Sequence, residues 1–162
     1  MSMGNVHVRG LPRFAALAVL ACTATAALAA TPFDAFLGSW SGTGQVRYDD
    51  GRSESMRCQA FYTGGGQRLN LAIRCNSAGS EVAIRGQLTE AGGSVSGTWE
   101  ERTFNAAGAV KGQISGNRLT LSVTGGGFTG SMSVSLGGSR QTVAISTQGI
   151  PMRSVSVVLA KG

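Results

Sequence analysis

The chain has 162 residues, a formal net charge of +6 at pH 7 and one histidine, and 25 of its residues are glycine. A chain of this length forms one ordinary domain and leaves little room for a second. Its basic residues are spread singly along the sequence, without the clustering beside aromatic residues that a nucleic-acid-binding surface needs. We therefore expect no nucleic-acid partner.

The N-terminal segment has the pattern of a secretory signal peptide. Arg9 and Arg13 precede an apolar run over residues 14–21, which is much shorter than the roughly 20 residues of a membrane-spanning helix. Residues 27–29, Ala-Leu-Ala, carry small side chains at the two positions that signal peptidase reads. The sequence therefore predicts cleavage after Ala29 and no transmembrane segment.

This cleavage divides the chain into a signal peptide, residues 1–29, and one exported domain, residues 30–162, which we expect to be periplasmic or secreted. An alternative is that Cys22 is the processing site of a lipoprotein. In that case Cys22 is acylated and anchors the protein in a membrane.

The exported domain shows no long segment with helical periodicity, and its richness in Gly, Ser, Thr and Val predicts strands separated by tight turns. The first predicted strand is Trp40 to Tyr48 and the last is Arg153 to Lys161. Four hairpins lie between them, with turns at Gly66-Gln67, at a longer loop centred on Ala91-Gly92, at Gly116-Asn117 and at Gly138-Ser139.

In each hairpin the apolar residues of the two strands fall opposite each other across the turn, as residues on one face of a sheet must. The expected pairs are Cys58 with Cys75, Ala60 with Ile73, Tyr62 with Leu71, Leu88 with Val95, Ile84 with Trp99, Ile114 with Leu119, Val110 with Val123, Val134 with Val143 and Met132 with Ile145.

Cys58 and Cys75 are the two cysteines that remain once Cys22 leaves with the signal peptide, and they lie at equal distances from their turn. An even count in an exported domain suits one disulfide. We expect a bridge across neighbouring strands that faces the interior.

About ten amphipathic strands in consecutive order, with few helices to cover them, are best buried by closing the sheet on itself. The predicted fold is an all-β, single antiparallel up-and-down barrel of about 8–10 strands. A two-sheet β-sandwich is the alternative.

The start of the exported domain, Gly38-Ser39-Trp40-Ser41-Gly42, resembles the first strand of calycin-like barrels, the group that includes lipocalins, fatty-acid-binding proteins and nitrobindin-like proteins. The resemblance implies a barrel that Trp40 closes at one end, and a non-enzymatic binding role. It also implies that an Arg or Lys of the last strand, Arg153 or Lys161, packs against this Trp. Nitrobindin-like proteins hold haem through a histidine, whereas His7 lies in the predicted signal peptide, so histidine-ligated haem is excluded and we expect no cofactor.

Catalytic constellations are not evident in the exported domain. Without a histidine there is no Ser-His-Asp triad and no histidine-containing metal site, so we expect no metal. Glu100 and Glu101 are neighbours on a strand and point to opposite faces. We expect Glu101 to be an inward rim residue paired with an arginine. The sequence therefore predicts a non-enzymatic protein, and an enzyme that uses Tyr, Lys or an unrecognised pair of residues is the alternative.

Large and small residues are mixed on the predicted inner face. One interpretation is a pocket for a small hydrophobic or amphipathic ligand, with binding residues Trp40, Tyr62, Trp99, Phe128 and Met132. The other is that inward glycines such as Gly42, Gly44, Gly86, Gly97, Gly112 and Gly130 only let the strands coil, and that the aromatics fill the interior.

A protein partner is the alternative to a small ligand. Small periplasmic inhibitors of secreted metalloproteases also use a disulfide-bonded barrel and insert an N-terminal segment into the protease. The corresponding segment is Ala30-Thr31-Pro32-Phe33-Asp34. On this hypothesis, deleting the segment abolishes inhibition and leaves the fold intact.

Overall fold

The computed structural model describes residues 31–162, and the predicted signal peptide, its cleavage site and Cys22 lie outside the described residues. A short 3-10 helix, Asp34–Phe36, precedes the strands. The strands are β1 Gly38–Tyr48, β2 Ser53–Gly65, β3 Arg68–Asn76, β4 Glu81–Ala91, β5 Ser94–Glu101, β6 Ala106–Ser115, β7 Arg118–Gly125, β8 Phe128–Gly137, β9 Arg140–Gln148 and β10 Met152–Lys161.

The ten strands form one closed antiparallel barrel in which every strand pairs with its neighbours in the chain, and β1 pairs with β10. The closing pairing runs from Trp40 opposite Lys161 to Tyr48 opposite Met152. This confirms the predicted up-and-down barrel and excludes the two-sheet sandwich. Since the sheet is closed, none of these strands has a free edge.

Three of the four predicted hairpins have the expected register. The pairs Cys58 with Cys75, Ile114 with Leu119 and Val134 with Val143 are all observed. Each of these hairpins turns on two residues that begin with a glycine of positive φ, as the primed turns require.

The fourth hairpin has the predicted faces but a register shifted by two residues. Glu90, and not Leu88, lies opposite Val95, and Glu101, not Trp99, lies opposite Ile84. The turn is Gly92-Gly93, with φ values of 58° and 85°, one residue later than predicted. The Gly93 N–H donates to Glu90 Oε1 at 2.6 Å, and this contact stabilises the later turn.

The disulfide between Cys58 and Cys75 is present, with a Cα–Cα distance of 4.1 Å. It joins directly paired residues of β2 and β3. The Cys58 side chain is buried in the core cluster and Cys75 packs against it. The bridge therefore faces the interior, as predicted.

One end of the barrel is closed by aromatic residues from the segment before β1. Phe33 and Phe36 are 0% and 1% exposed, and Trp40 is 2% exposed. Trp40 Nε1 donates to the Phe36 carbonyl at 2.8 Å, which holds the 3-10 helix across this end. Lys161 Nζ lies 5.3 Å from the centroid of the Trp40 ring.

The arrangement around Trp40 is the one that the resemblance to calycin-like barrels implies. Lys161 of the last strand, opposite Trp40 in register, supplies the cation. Arg153 lies at the other end of β10 and is not the cation beside Trp40.

Several inward glycines lie where neighbouring strands approach closely. A Cβ atom on Gly42 would lie 2.0 Å from the Val158 carbonyl oxygen, and one on Gly97 would lie 2.0 Å from that of Gln87. On Gly86 it would meet the Leu71 side chain at 3.1 Å. At these positions the missing side chain is replaced by protein atoms, which favours the interpretation that the glycines let the strands coil.

The close approach at Gly97 predicts that Gly97→Ala destabilises the barrel. Gly97 has an ordinary negative φ, so the penalty comes from the contact with the β4 backbone and not from backbone strain. Overpacking of this kind costs about 1 to 3 kcal/mol. The control is Gly137→Ala, because Gly137 also lacks a positive φ and has no atom within 4 Å of the added Cβ. In urea titrations Gly137→Ala should stay within about 0.5 kcal/mol of wild type; equal effects would contradict the packing argument.

The buried position of Phe33 predicts that the segment before β1 is part of the folded core. Phe33→Ala should lower the free energy of unfolding by about 3 to 5 kcal/mol, the usual cost of removing a buried phenylalanine ring. Phe104→Ala is the control, since Phe104 is 67% exposed. Thermal and urea unfolding should separate the two variants clearly, and a wild-type stability for Phe33→Ala would show that this end is not closed in solution.

Candidate functional site at the open end of the barrel

The two ends of the barrel interior differ in exposure. At the Trp40 end, the inward residues are buried, among them Tyr62, Leu69, Leu88, Val95, Leu119, Val134, Gln141 and Leu159. At the opposite end, Val46, Met56 and Val155 are buried, but a set of other inward apolar side chains is only partly buried. We call this set the mouth: Ile73, Trp99, Val123, Phe128, Met132, Ile145 and Met152. The two ends of the barrel thus differ: one is closed, and the other leaves a set of apolar side chains partly exposed.

An aromatic pair forms one side of the mouth. The ring centroids of Trp99 and Phe128 are 5.3 Å apart, with a tilt of 55°. Trp99 lies near the end of β5, and its Nε1 donates to the Thr124 carbonyl at 3.2 Å. Phe128 begins β8 directly after the glycine turn Gly126-Gly127. The hydrogen bond and the ring contact orient the indole while its surface stays partly open.

The five predicted ligand-binding residues do not form a single cluster. Trp99 and Phe128 contact each other at the mouth, and Met132 lies deeper on the inward face of β8, opposite Ile145. Trp40 and Tyr62 lie at the closed end, where they are buried by other protein atoms. Residue parity predicts the face of each side chain correctly, but these residues belong to opposite ends of the barrel.

Gln141 is a buried polar residue that the sequence reasoning missed. It is 0% exposed, and its Oε1 accepts a hydrogen bond from the Tyr62 hydroxyl at 3.1 Å across the closed end. Its Nε2 has no hydrogen-bond partner among the described residues. Burial raises the pKa of Tyr62 to about 12, although the hydrogen bond to Gln141 opposes this shift. The inward parity of Gln141 with Val143 and Ile145 was the signal that could have revealed it.

Glu101 faces inward as expected, but the expected arginine partner is wrong. The carboxylate accepts the Ala83 N–H at 2.8 Å and the Phe104 N–H at 2.6 Å, and it forms no ion pair with the described residues. Burial alone raises the pKa of Glu101, but the N–H groups of Ala83, Phe104 and Thr103 and the Thr103 hydroxyl outweigh it, so the pKa lies below its usual value. Glu101 therefore holds the β5–β6 connection against β4.

Two further acidic residues, Glu100 and Asp50, lie on the outer face of a strand and in a turn. Glu100 is exposed on the outer face of β5, opposite to Glu101. Asp50 lies in the turn between β1 and β2 and pairs with Arg52, with Oδ2 2.6 Å from Nε. Within residues 31–162, no group of three or more His, Cys, Asp and Glu side chains is placed to hold a metal ion. No helix in the same range is long and apolar enough to cross a membrane.

Comparison with known proteins supports the fold and leaves the family open. No protein-family model and no curated protein matches the chain. The structure is similar to that of Rv2717c from M. tuberculosis, with a TM-score of 0.65 and 14% sequence identity over 80% of this chain and 94% of the other. It is also similar to the S-type phycobiliprotein lyase CPES from Guillardia theta, with a TM-score of 0.53 and 10% identity over 80% of this chain and 90% of the other. At these identities the likeness shows the fold alone, a closed antiparallel β-barrel.

The lowered pKa of Glu101 predicts an acid-sensitive contribution to stability. A carboxyl group with a depressed folded-state pKa stabilises the fold above its unfolded value, here about 4.5, and loses that effect as the pH falls through the folded pKa. Glu101→Gln should therefore lose less stability than wild type when the pH is lowered from 7 through this range. The control is Glu100→Gln. Because Glu100 is exposed on the outer face of β5, this substitution should keep the wild-type slope of stability against pH. Urea unfolding at a series of pH values measures both, and identical slopes for all three proteins would contradict the assignment.

Proposed function

We propose that the protein is a non-enzymatic binding protein that takes a small hydrophobic or amphipathic ligand in the mouth of the barrel. The observation that carries the proposal is the difference between the two ends: the Trp40 end is closed by buried aromatic residues, whereas the apolar side chains of the mouth remain partly exposed at the other. Apolar surface left in contact with water favours a ligand that covers it, at about 25 cal/mol for each Å² buried.

The ligand site is placed at the mouth and not deep in the barrel. The closed end is filled by Phe33, Phe36 and Trp40, and the glycines in the middle of β1 and β5 contact neighbouring strands. Of the five residues predicted from the sequence, Trp99, Phe128 and Met132 therefore remain candidates for ligand contact. Trp40 and Tyr62 are assigned to the closure of the barrel.

A location outside the cytoplasm is part of the same proposal. The Cys58–Cys75 disulfide persists best in an oxidising compartment, which supports a periplasmic or secreted protein. One of the two similar barrels is a phycobiliprotein lyase, and at 10% identity this likeness concerns the fold alone. The proposed binding role rests on the mouth and on the structural partners that Glu101 and Asp50 already have.

The alternative of a protease-inhibitor-like module is less well supported. Its candidate segment ends in Phe33 and Asp34, and Phe33 is buried in the core. Insertion of this segment into a protease would require Phe33 to leave the closed end of the barrel. The expectation that the segment is dispensable for the fold is thus at odds with the described residues.

Titration with 1-anilinonaphthalene-8-sulfonate and with dodecanoate tests the proposal. We expect a saturable rise in dye fluorescence, displacement of the dye by dodecanoate, and quenching of tryptophan emission. The quenching should be lost in Trp99→Phe, because Trp40 is the other of the two tryptophans and is buried away from the mouth.

Matched substitutions distinguish dye binding at the mouth from nonspecific binding to exposed apolar surface. Phe128→Ser should weaken dye binding by about tenfold, the effect of losing one buried aromatic contact of about 1.4 kcal/mol. Val158→Ser should bind as wild type, since Val158 is 45% exposed on the outer face of β10. Binding that is not saturable, or equal affinities for the two variants, would overturn the proposal.

A further inference from the structure

A groove lies on the outer surface of the barrel, across β2, β3 and β4, and the proposed ligand site does not use it. Its cavity volume is about 210 Å³, and its lining includes Phe61, Ala72, Ala83, Arg74, Arg85 and Arg102. We call it the outer groove. Phe61, Ala72 and Arg85 occupy consecutive register positions on the three strands, and Arg74 and Ala83 form the row beside them.

The outer groove has an apolar floor beside an exposed aromatic ring. Phe61 is 51% exposed, although most large apolar side chains of the described residues are buried. Its cross-strand neighbour is Ala72, whose methyl group is too small to cover the ring. Ala83 extends the low floor on β4. A partner side chain that enters here therefore covers apolar surface that the fold leaves open.

The rim of the outer groove is cationic. Arg74 Nε is 3.5 Å from Glu81 Oε1, whereas Arg85 and Arg102 form no ion pair with the described residues. Glu100 lies opposite Arg85 in register but does not pair with it. Two guanidinium groups are thus available to carboxylates, which they recognise in a bidentate geometry.

The size of the outer groove indicates the kind of occupant. Pockets for free small molecules usually span about 300 to 1,000 Å³, and this one is smaller, so it suits one side chain of a larger partner. The closed barrel offers no free strand edge to which a partner could add a strand. A partner must therefore dock on the side chains of the sheet face. Exposed aromatic and arginine residues are the types that dominate such contacts.

We propose that the outer groove docks an acidic segment of a partner protein, which inserts one apolar side chain beside Phe61 and places carboxylates on Arg85 and Arg102. Charge complementarity selects this partner, because Arg85 and Arg102 flank an apolar floor and form no ion pair with the described residues. The groove arginines and Phe61 lie on the opposite face of the sheet from the mouth, and Ile73 is the one residue of the mouth that also lines the groove.

The probe is a synthetic peptide, acetyl-Asp-Glu-Leu-Glu-Asp-amide, titrated into the isotopically labelled protein and followed by backbone amide chemical shifts. We expect shift changes confined to β2, β3 and β4, with amides such as those of Ala72 and Ala83 among the most affected. Raising the salt from 20 to 200 mM should weaken binding, because exposed charges are screened. A peptide with Gly in place of Leu should bind more weakly, and one with Lys in place of the acids should not bind.

Variants assign the contact to the outer groove. Phe61→Ser and Arg85→Gln should each weaken peptide binding by about fivefold or more, the effect of losing an interface residue worth about 1 kcal/mol. The controls are Val158→Ser and Arg140→Gln, exposed residues of β10 and β9, which should bind as wild type. Both groove variants change exposed side chains, so unfolding curves should confirm that the fold is kept.

Four results would overturn the proposal. The first is the absence of shift changes in the groove at millimolar peptide, and the second is equal affinity of groove and control variants for the peptide. The third is a response to phenylacetate or to anionic lipid vesicles without a response to the peptide, and the fourth is concentration-dependent self-association that Phe61→Ser abolishes. The third assigns the groove to a free anion or a membrane, and the fourth assigns it to a second copy of this chain.

Discussion

The pairing of β1 with β10 is the constraint on which the rest of the structure depends. It joins the first and last strands of the described chain and converts a row of hairpins into a closed wall. Closure satisfies the backbone N–H and C=O groups that an open sheet would expose. It also places Lys161 over Trp40 and so links the last strand to the aromatic closure of one end. Both the sealed end and the open mouth exist only because the sheet is closed.

The closed wall separates an inner and an outer surface that serve different purposes. Inside, the Trp40 cluster and the Tyr62–Gln141 contact fill one end, and the partly exposed apolar residues of the mouth lie at the other. Outside, most positions are polar, so the exposed Phe61 between small residues and arginines stands apart from its surroundings. Strand alternation assigns each residue to one surface, and a binding site on one leaves the other free.

Much of the fold followed from the sequence because parity and turn chemistry are local. Glycine-initiated two-residue turns gave the correct register for three hairpins, and the equal spacing of Cys58 and Cys75 gave the disulfide. The fourth register failed by two residues because the turn at Gly92-Gly93 is held by the Glu90 side chain, a contact that parity does not encode.

The candidate site was harder to predict because it depends on contacts between distant parts of the chain. Parity places Trp40, Tyr62, Trp99 and Phe128 on one face, but the end of the barrel each occupies depends on strand register and on how each end is covered. The return of Phe33 to the core has no periodic signal, since it precedes the first strand. Glu101 found backbone N–H groups instead of an arginine because the β5–β6 connection folds over it.

The contact between Cys58 and Cys75 and the pairing of β1 with β10 differ in how fast they can form. The Cys58–Cys75 bridge spans a sequence separation of 17 within one hairpin, so its residues meet through a local loop that closes quickly. β1 and β10 are the first and last strands, so they can pair only when nearly the whole domain is present. Contacts between such distant segments are slow to form. Until β10 arrives, one edge of β1 stays unpaired and available to other chains. In a chain that emerges N-terminus first, β2 and β3 can therefore pair and bring Cys58 next to Cys75 while the barrel is still open.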